Sequence, residues 1–129
     1  MDYRGYSALL GLDGSYSIEE IVGDLIDSLD RLGWTGCHVV GRTMGGMIFP
    51  RAALMQPDRF LSGLALTPVP ASGFHLDADT QALSTRAADD DEALEARFGF
   101  LIGNRHSPGF ARATRVRCRA ATTRDAYLG

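Results

Sequence analysis

The residues whose types could do chemistry stand in a glycine-bracketed turn. A short apolar run ending at Val40 leads into Gly41–Gly46, and a helical pattern follows. Thr43 lies at the centre of this turn, and a threonine hydroxyl acts as a nucleophile when a base is placed beside it. A glycine-rich turn before a helix also presents free amides and the positive end of the helix dipole. Arg42 and these amides therefore offer a second interpretation, an anion-binding module that uses the Gly41–Gly46 turn.

An amphipathic helix is predicted before the turn. A loop over residues 8–16, with Asp13 among its turn residues, comes first. Ser17 and Glu20 then have the spacing of a capping box. Gly33 is placed to stop the helix, which we expect to span about 18–32. The apolar residues of this helix form one stripe: Ile21, Val22, Leu25, Ile26, Leu29 and Leu32.

The turn is expected between two parallel strands. The run 37–40 is apolar on both faces, which is typical of a strand covered on both sides of a parallel sheet. A helix over 44–55 follows, with Pro50 inside it. The residues 61–66 form the second strand, and a strand, helix and strand of this length make a right-handed crossover. The predicted fold class is therefore α/β.

This order of elements resembles part of the α/β-hydrolase fold. In that family a strand and a helix flank a sharp turn, the nucleophile elbow, with the sequence Gly-x-Ser-x-Gly. Gly41 and Gly45 hold the small positions here. Thr43 stands where the family has serine, and Arg42 stands where histidine is common. The segment Asp2–Tyr6 is similar to the Asp-x-Arg-Gly-x-Gly segment that follows the fourth strand of these hydrolases.

The resemblance implies a role for each residue of the turn. Thr43 takes the nucleophile position, and the backbone amide of Met44 points into the oxyanion hole. The other residues form the frame of the elbow: Gly41, Arg42, Gly45 and Gly46. In the family, the residue at the nucleophile position is normally held at positive φ. This backbone conformation costs a β-branched residue such as Thr43 of order 1–3 kcal/mol. Two interpretations of Thr43 therefore stay open, a catalytic threonine and a strand-to-helix corner kept for its shape.

By the same resemblance, the ancestral activity is hydrolysis of a small carboxylic ester, lactone or related bond, without a cofactor. In the family the catalytic acid and histidine follow a helical cap. We expect both to be missing from this sequence, which makes the chain a truncated and catalytically impaired member. His38, just before the turn, is expected to be a packed or hydrogen-bonded core residue. His75 and His106 are expected in surface loops.

A composition shift at Thr67–Gly73 marks the predicted domain boundary. Residues 1–74 form a partial α/β-hydrolase core with the elbow, and residues 75–129 resemble the helical cap of the family. Helices are predicted over 77–86 and 89–101. A third helix, with Ser107 as its N-cap and Pro108 as its first residue, is predicted to end near 119, and Thr122 is expected to cap a last short turn. Acidic residues dominate the first half of this segment and arginines the second. Either the arginines bind an anionic ligand, or the two halves pair with each other or are separately solvated.

Composition excludes several classes of protein. The 129-residue chain has 45% hydrophobic residues and a net charge of -3, which is typical of a globular protein and gives no footprint for nucleic acid. No apolar run reaches the roughly 20 residues of a membrane helix. No export leader stands at the start, so we expect a cytoplasmic protein with no membrane partner.

Cys37 and Cys118 are expected as buried free thiols, and no metal site is expected because metal-ligand spacings are absent.

The two predicted strands make too small a sheet to stand alone. Their unpaired edges favour aggregation or pairing with another chain. We therefore expect marginal stability, and either a homo-oligomer or a partner that completes the sheet edge.

Overall fold

The structure, a computed structural model, describes residues 1–12, 14–70, 72–103 and 105–129. Asp13 in the expected loop and Ala71 in the expected boundary segment lie outside the described residues. The chain divides into two compact units. Unit 1 consists of Met1 and Ser15–Phe74, and unit 2 of Asp2–Gly14 and His75–Gly129.

Unit 1 contains the predicted strand, helix and strand. Helix α1 spans Ile18–Arg31, strand β1 Cys37–Arg42, helix α2 Gly45–Met55 and strand β2 Phe60–Leu66, with a 3₁₀ turn at Pro57–Arg59. The strands β1 and β2 pair in parallel as a two-stranded sheet. The α/β fold class is confirmed, and Pro50 lies inside α2 without ending it.

Helix α1 begins and ends where the sequence predicts. The Ser17 hydroxyl accepts a hydrogen bond from the Glu20 amide at 3.3 Å, which satisfies one of the free amides of the first turn. Gly33 adopts a φ of 67° beyond the other end, a conformation that glycine reaches without steric cost. Helix α1 packs against α2. Its buried residues belong to the predicted stripe: Ile21, Val22, Ile26 and Leu29.

One face of the sheet is covered and the other is exposed. Val40 pairs with Leu64 in the register of the strands, and these residues are 66% and 54% exposed. On the other face, Phe49 of α2 lies so close that a Cβ at Gly63 would be 2.7 Å from its Cζ atom. The expectation that residues 37–40 are covered on both sides was wrong, because α2 covers only one face of the strands.

Unit 2 is helical. Its helices are α3 Ala78–Arg86, α4 Asp91–Ile102, α5 Pro108–Ala121 and α6 Arg124–Leu128, and a 3₁₀ turn spans Ser7–Leu9. The residue before each α-helix accepts a hydrogen bond from its first turn, which explains why the helices begin there. These N-cap residues are Asp77, Asp90, Ser107 and Thr123.

The N-terminal segment packs with unit 2. Thr122, predicted to cap the last turn, is instead extended and pairs with Tyr6 in an antiparallel bridge. The Thr123 hydroxyl caps the turn by accepting from the Ala126 amide at 3.2 Å, so that prediction was wrong by one residue. The Tyr6 hydroxyl donates to the Ala126 carbonyl at 2.9 Å. Residues 2–14, grouped by the sequence with the core segment 1–74, thus fall in one unit with residues 75–129.

The charged residues of unit 2 pair with each other. Asp91 binds both Arg115 and Arg119, and Arg124 Nε lies 2.8 Å from Asp89 Oδ1. The predicted pairing of the acidic and basic halves is therefore confirmed.

The core of unit 2 is small, with Ala87, Ala93 and Leu94 buried at its centre. Cys118 packs at its edge. Both cysteines are free thiols, as expected, but Cys37 and Cys118 are half-buried rather than buried. Within the described ranges, no helix has the length and apolar character needed to cross a membrane.

Candidate functional site

The turn after β1 holds Thr43 in a rare backbone conformation. Its φ is 52°, in the left-handed region that β-branched residues seldom adopt. Hydrogen bonds fix this geometry on both sides of the residue. The Thr43 amide donates to the Leu66 carbonyl at 3.0 Å, and the Thr43 carbonyl accepts from the Gly46 amide at 3.0 Å and the Val69 amide at 3.1 Å. The end of β2 and the start of α2 together hold the strained residue in place.

Two glycines make the turn sterically possible. A Cβ at Gly41 would collide with the backbone of Gly45, and a Cβ at Gly46 would lie 2.7 Å from Pro68 Cβ and 3.0 Å from Pro68 Cα. Gly45 and Gly46 are buried in the first turn of α2. The need for glycine at position 41 is evident from the local turn pattern, because the contact it avoids is with Gly45 of the same turn. The contact between Gly46 and Pro68 depends on the chain after β2, which the local pattern does not encode.

The functional groups of the turn are unpaired within the described part of the chain. Thr43 is exposed, and its hydroxyl makes no hydrogen bond to any described residue. The amides of Met44 and Gly45 likewise have no acceptor among the described residues. Both amides stand at the start of α2, where the helix dipole favours negative charge. The turn therefore presents a hydroxyl and two free amide donors, and their catalytic roles stay a prediction.

His38 does not contact Thr43. Its Nδ1 lies 2.8 Å from Ser62 Oγ on the neighbouring strand, and the residue is exposed. The hydrogen-bonded role expected for His38 is confirmed, but its expected place in the core was wrong, because its side chain lies on the uncovered face of the sheet.

The other two histidines belong to unit 2. His75 is exposed, as expected. His106 is half-buried. Its ring lies 5.9 Å from that of Phe110, and its ring nitrogens are buried without a partner in the described structure. The surface position expected for His106 was wrong. The available signal was its place just before the N-cap Ser107, where a side chain packs back on the first helical turn.

No set of three metal-ligating side chains comes together among the described residues. The turn itself presents the Thr43 hydroxyl, backbone amides and the Arg42 guanidinium.

Solved structures share this arrangement over almost the whole chain. An esterase from Exiguobacterium antarcticum matches 98% of the chain with a TM-score of 0.75 and 17% identity. Est816, described as an N-acyl homoserine lactone degrading enzyme, matches 98% with a TM-score of 0.73 and 22% identity. The fold is that of an α/β-hydrolase. The chain spans about half the length of these α/β-hydrolase structures, 51% and 50% respectively.

A curated relative matches part of the sequence. A putative carbamate hydrolase RutD from Stutzerimonas stutzeri is 37% identical over 60 residues, which is 46% of this chain and 22% of that protein. No protein-family model matches the chain. The α/β-hydrolase fold is thus shown by structure, while the assignment of Thr43 to the nucleophile elbow stays a prediction that the geometry of the turn now makes specific.

Proposed function

We propose that the chain descends from a hydrolase of small carboxylic esters, lactones or related bonds, with Thr43 at the nucleophile position. The observation that carries this proposal is the φ of 52° at Thr43. A strained non-glycine residue persists where its surroundings over-determine it, and such residues cluster at functional sites. The α/β-hydrolase fold and the esterase, lactone-degrading and carbamate hydrolase names of similar proteins support the same class of reaction.

The reaction assigns a separate task to each group of the turn. The Thr43 hydroxyl would attack the carbonyl carbon of the ester, passing its proton to a base. Negative charge then develops on the carbonyl oxygen, and the free Met44 amide would donate to it. Loss of one such donor typically lowers kcat by about 100-fold to 1,000-fold, so a free amide beside the nucleophile position is a substantial part of the machinery.

We further propose that this activity is impaired in the chain. A nucleophilic hydroxyl needs a base within hydrogen-bonding distance. No histidine is bonded to Thr43 among the described residues, since His38 is bonded to Ser62. The γ-methyl of threonine also stands beside the attacking oxygen, where the family's serine has only hydrogen.

Hydrolysis of p-nitrophenyl acetate by the purified chain tests both parts. The wild type, Thr43→Ala and Thr43→Ser should all give the same slow background rate, with circular dichroism to show that each is folded. Turnover by the wild type that Thr43→Ala abolishes would show a working threonine and contradict the impairment. A Thr43→Ser rate more than about 10-fold above Thr43→Ala would show that serine alone restores an intact site. Labelling of Thr43→Ser by a fluorophosphonate, with Thr43→Ala as the control, distinguishes a turn that activates a serine hydroxyl from a turn that has only a structural role.

A second candidate function is anion binding by the same turn. Arg42 is exposed and forms no ion pair with any described residue, and the Met44 and Gly45 amides are free within the same limits. If the turn binds phosphate, phosphate should raise the melting temperature of the wild type but not of Arg42→Ala. Arg31→Ala, which removes an exposed arginine from the end of α1, is the matched control. An equal response from both variants would exclude this candidate.

A further inference from the structure

A second strained threonine stands at the end of β2. Thr67 directly follows this strand and has a φ of 43°, in the left-handed region that β-branched residues seldom adopt. Pro68 comes next in the sequence, and a proline favours extended backbone in the residue before it. Glycine adopts a positive φ without steric cost. Threonine is therefore an unfavourable residue for this backbone, which makes its side chain a candidate for a functional role.

Thr67 lies beside Thr43 at the carboxyl end of the sheet. In the parallel register Arg42 pairs with Leu66, so Thr43 and Thr67 are the next residues along the two strands. The Thr43 amide donates to the Leu66 carbonyl at 3.0 Å, and the Thr43 carbonyl accepts from the Val69 amide at 3.1 Å. Thr67 lies between these two bonding residues in the sequence, and it is therefore held next to Thr43.

No described residue uses the Thr67 hydroxyl. Thr67 is exposed, and its side chain makes no hydrogen bond within the described part of the chain. The same is true of Thr43. Ligands of open parallel α/β sheets bind in the crevice outside the carboxyl ends of the strands, and strained residues cluster at ligand sites. Two strained threonines with unbonded hydroxyls thus share one end of the sheet.

We propose that the Thr67 hydroxyl binds the acyl group of the substrate and selects acyl groups with a hydroxyl on the carbon next to the carbonyl, as in esters of 2-hydroxy acids. This inference rests on the proposed function, because it takes the reacting carbonyl to lie at Thr43. Neighbouring strands are about 4.8 Å apart, so an oxygen two bonds from that carbonyl carbon is within reach of Thr67. A threonine hydroxyl both donates and accepts, and it can therefore pair with a hydroxyl of the substrate.

Two small carboxylates test the selection without any chemical step. Glycolate and propionate are the same size and carry the same charge, and they differ by a hydroxyl in place of a methyl group. The carboxylate of each can accept from the Met44 and Gly45 amides, which have no acceptor among the described residues. Titration of the ¹⁵N-labelled chain at constant ionic strength gives both dissociation constants from the shifts of these amides. Glycolate should bind about three-fold to ten-fold more tightly, the usual net effect of one hydrogen bond.

Three threonine variants assign this preference to one hydroxyl. Thr67→Val removes the hydroxyl and keeps the branched shape, so glycolate and propionate should bind with equal affinity. Thr67→Ser keeps the hydroxyl and should retain the preference for glycolate. Thr35→Val makes the same change at an exposed threonine of unit 1 that precedes β1, and should leave both affinities as in wild type. Circular dichroism shows that each variant is folded.

The result that would overturn the inference is equal binding of glycolate and propionate by the wild type, or a preference that Thr67→Val keeps. Absence of a saturable shift with either carboxylate would overturn it too, because the acyl group would then have no site at these amides. The proposed function fails separately. A Thr43→Ser variant that a fluorophosphonate does not label would remove the hydrolytic role of position 43, whereas the preference for glycolate is measured on a chain that carries Thr43.

Discussion

Thr43 combines a strained backbone conformation with a side chain that carries a hydroxyl. A glycine would adopt φ of 52° freely, whereas threonine adopts it only because hydrogen bonds from Gly46 and Val69, and to Leu66, hold the peptide groups on either side. The strain is therefore maintained by elements that are far from one another in sequence. Its retention with a hydroxyl-bearing side chain, rather than relief by glycine, is what makes this position a candidate site.

The strain at Thr43 can be measured. We expect Thr43→Gly to raise the free energy of unfolding by about 1 kcal/mol, because relief of the left-handed conformation outweighs the extra chain entropy of glycine. Urea denaturation followed by circular dichroism gives this value. Thr114→Gly, inside α5, is the control and should lower stability slightly. A destabilising Thr43→Gly would mean that the threonine side chain makes contacts more valuable than the strain it imposes.

At the level of the elements, two helical glycines differ in the space around them, which the sequence alone does not reveal. Gly23 lies in α1 with nothing within 4 Å of a Cβ placed there, whereas a Cβ at Gly46 in α2 would press on Pro68. We expect Gly23→Ala to stabilise the chain by about 1 kcal/mol through helix propensity. Gly46→Ala should destabilise it by about 2 kcal/mol through overpacking. Thermal denaturation of the two variants side by side tests the pair, and similar effects would show that Pro68 moves away freely.

Acid should weaken the helices of unit 2. The amides of Glu92 and Ala93 hold the pKa of Asp90 below its ordinary value, and the hydrogen bond from Arg119 does the same for Asp91. A carboxyl whose pKa is lower in the folded state adds stability above its unfolded pKa and loses it as the pH falls through the folded value. Helical signal should therefore decline below about pH 4.

A single variant isolates the part of this acid response that belongs to Asp91. Asp91→Asn should be less stable than wild type at pH 7, and the two proteins should converge as the pH falls and Asp91 becomes protonated. Asp58→Asn in unit 1 serves as the control. A constant gap between Asp91→Asn and wild type at all pH values would show that ionisation of Asp91 does not contribute.

The elements were predictable to the extent that their signals are local. Ser17 and Ser107 each precede a helix whose start the sequence predicts, because an N-cap acts within one turn. Thr122 and Thr123 offer the same hydroxyl side by side, and the choice depends on the distant Tyr6, which takes Thr122 into a bridge. The uncovered face of the sheet and the contact of Gly46 with Pro68 could not be predicted from the sequence. Both depend on residues that are distant in sequence and are brought together by the fold.

At the level of the whole molecule, the uncovered sheet face has consequences for association. Val40, Leu64 and Leu66 lie on it and are 66%, 54% and 46% exposed. Apolar surface of this kind, beside strand edges that pair with no further strand in the described part of the chain, favours contact with another chain. We therefore expect the purified chain to self-associate, as the sequence predicts.

Sedimentation velocity over a range of protein concentrations tests this expectation. Leu64→Thr keeps a strand-forming residue but removes apolar surface, and should shift the distribution toward monomer. Leu54→Thr makes the same change on α2, at a residue that is 80% exposed, and should have little effect on association. A wild-type monomer at every concentration, with a sharp unfolding transition, would contradict the prediction.

The hydrogen bond from Tyr6 to Ala126 joins residues 120 positions apart, and this has a consequence for the order of folding during synthesis. Residues 15–74 of unit 1 are all translated before the first helix of unit 2 begins. Domains fold as units as the chain emerges, and short loops close at less entropic cost than long ones. Unit 1 can therefore fold on the ribosome before residues 122–126 emerge to make their contacts with Gly5 and Tyr6.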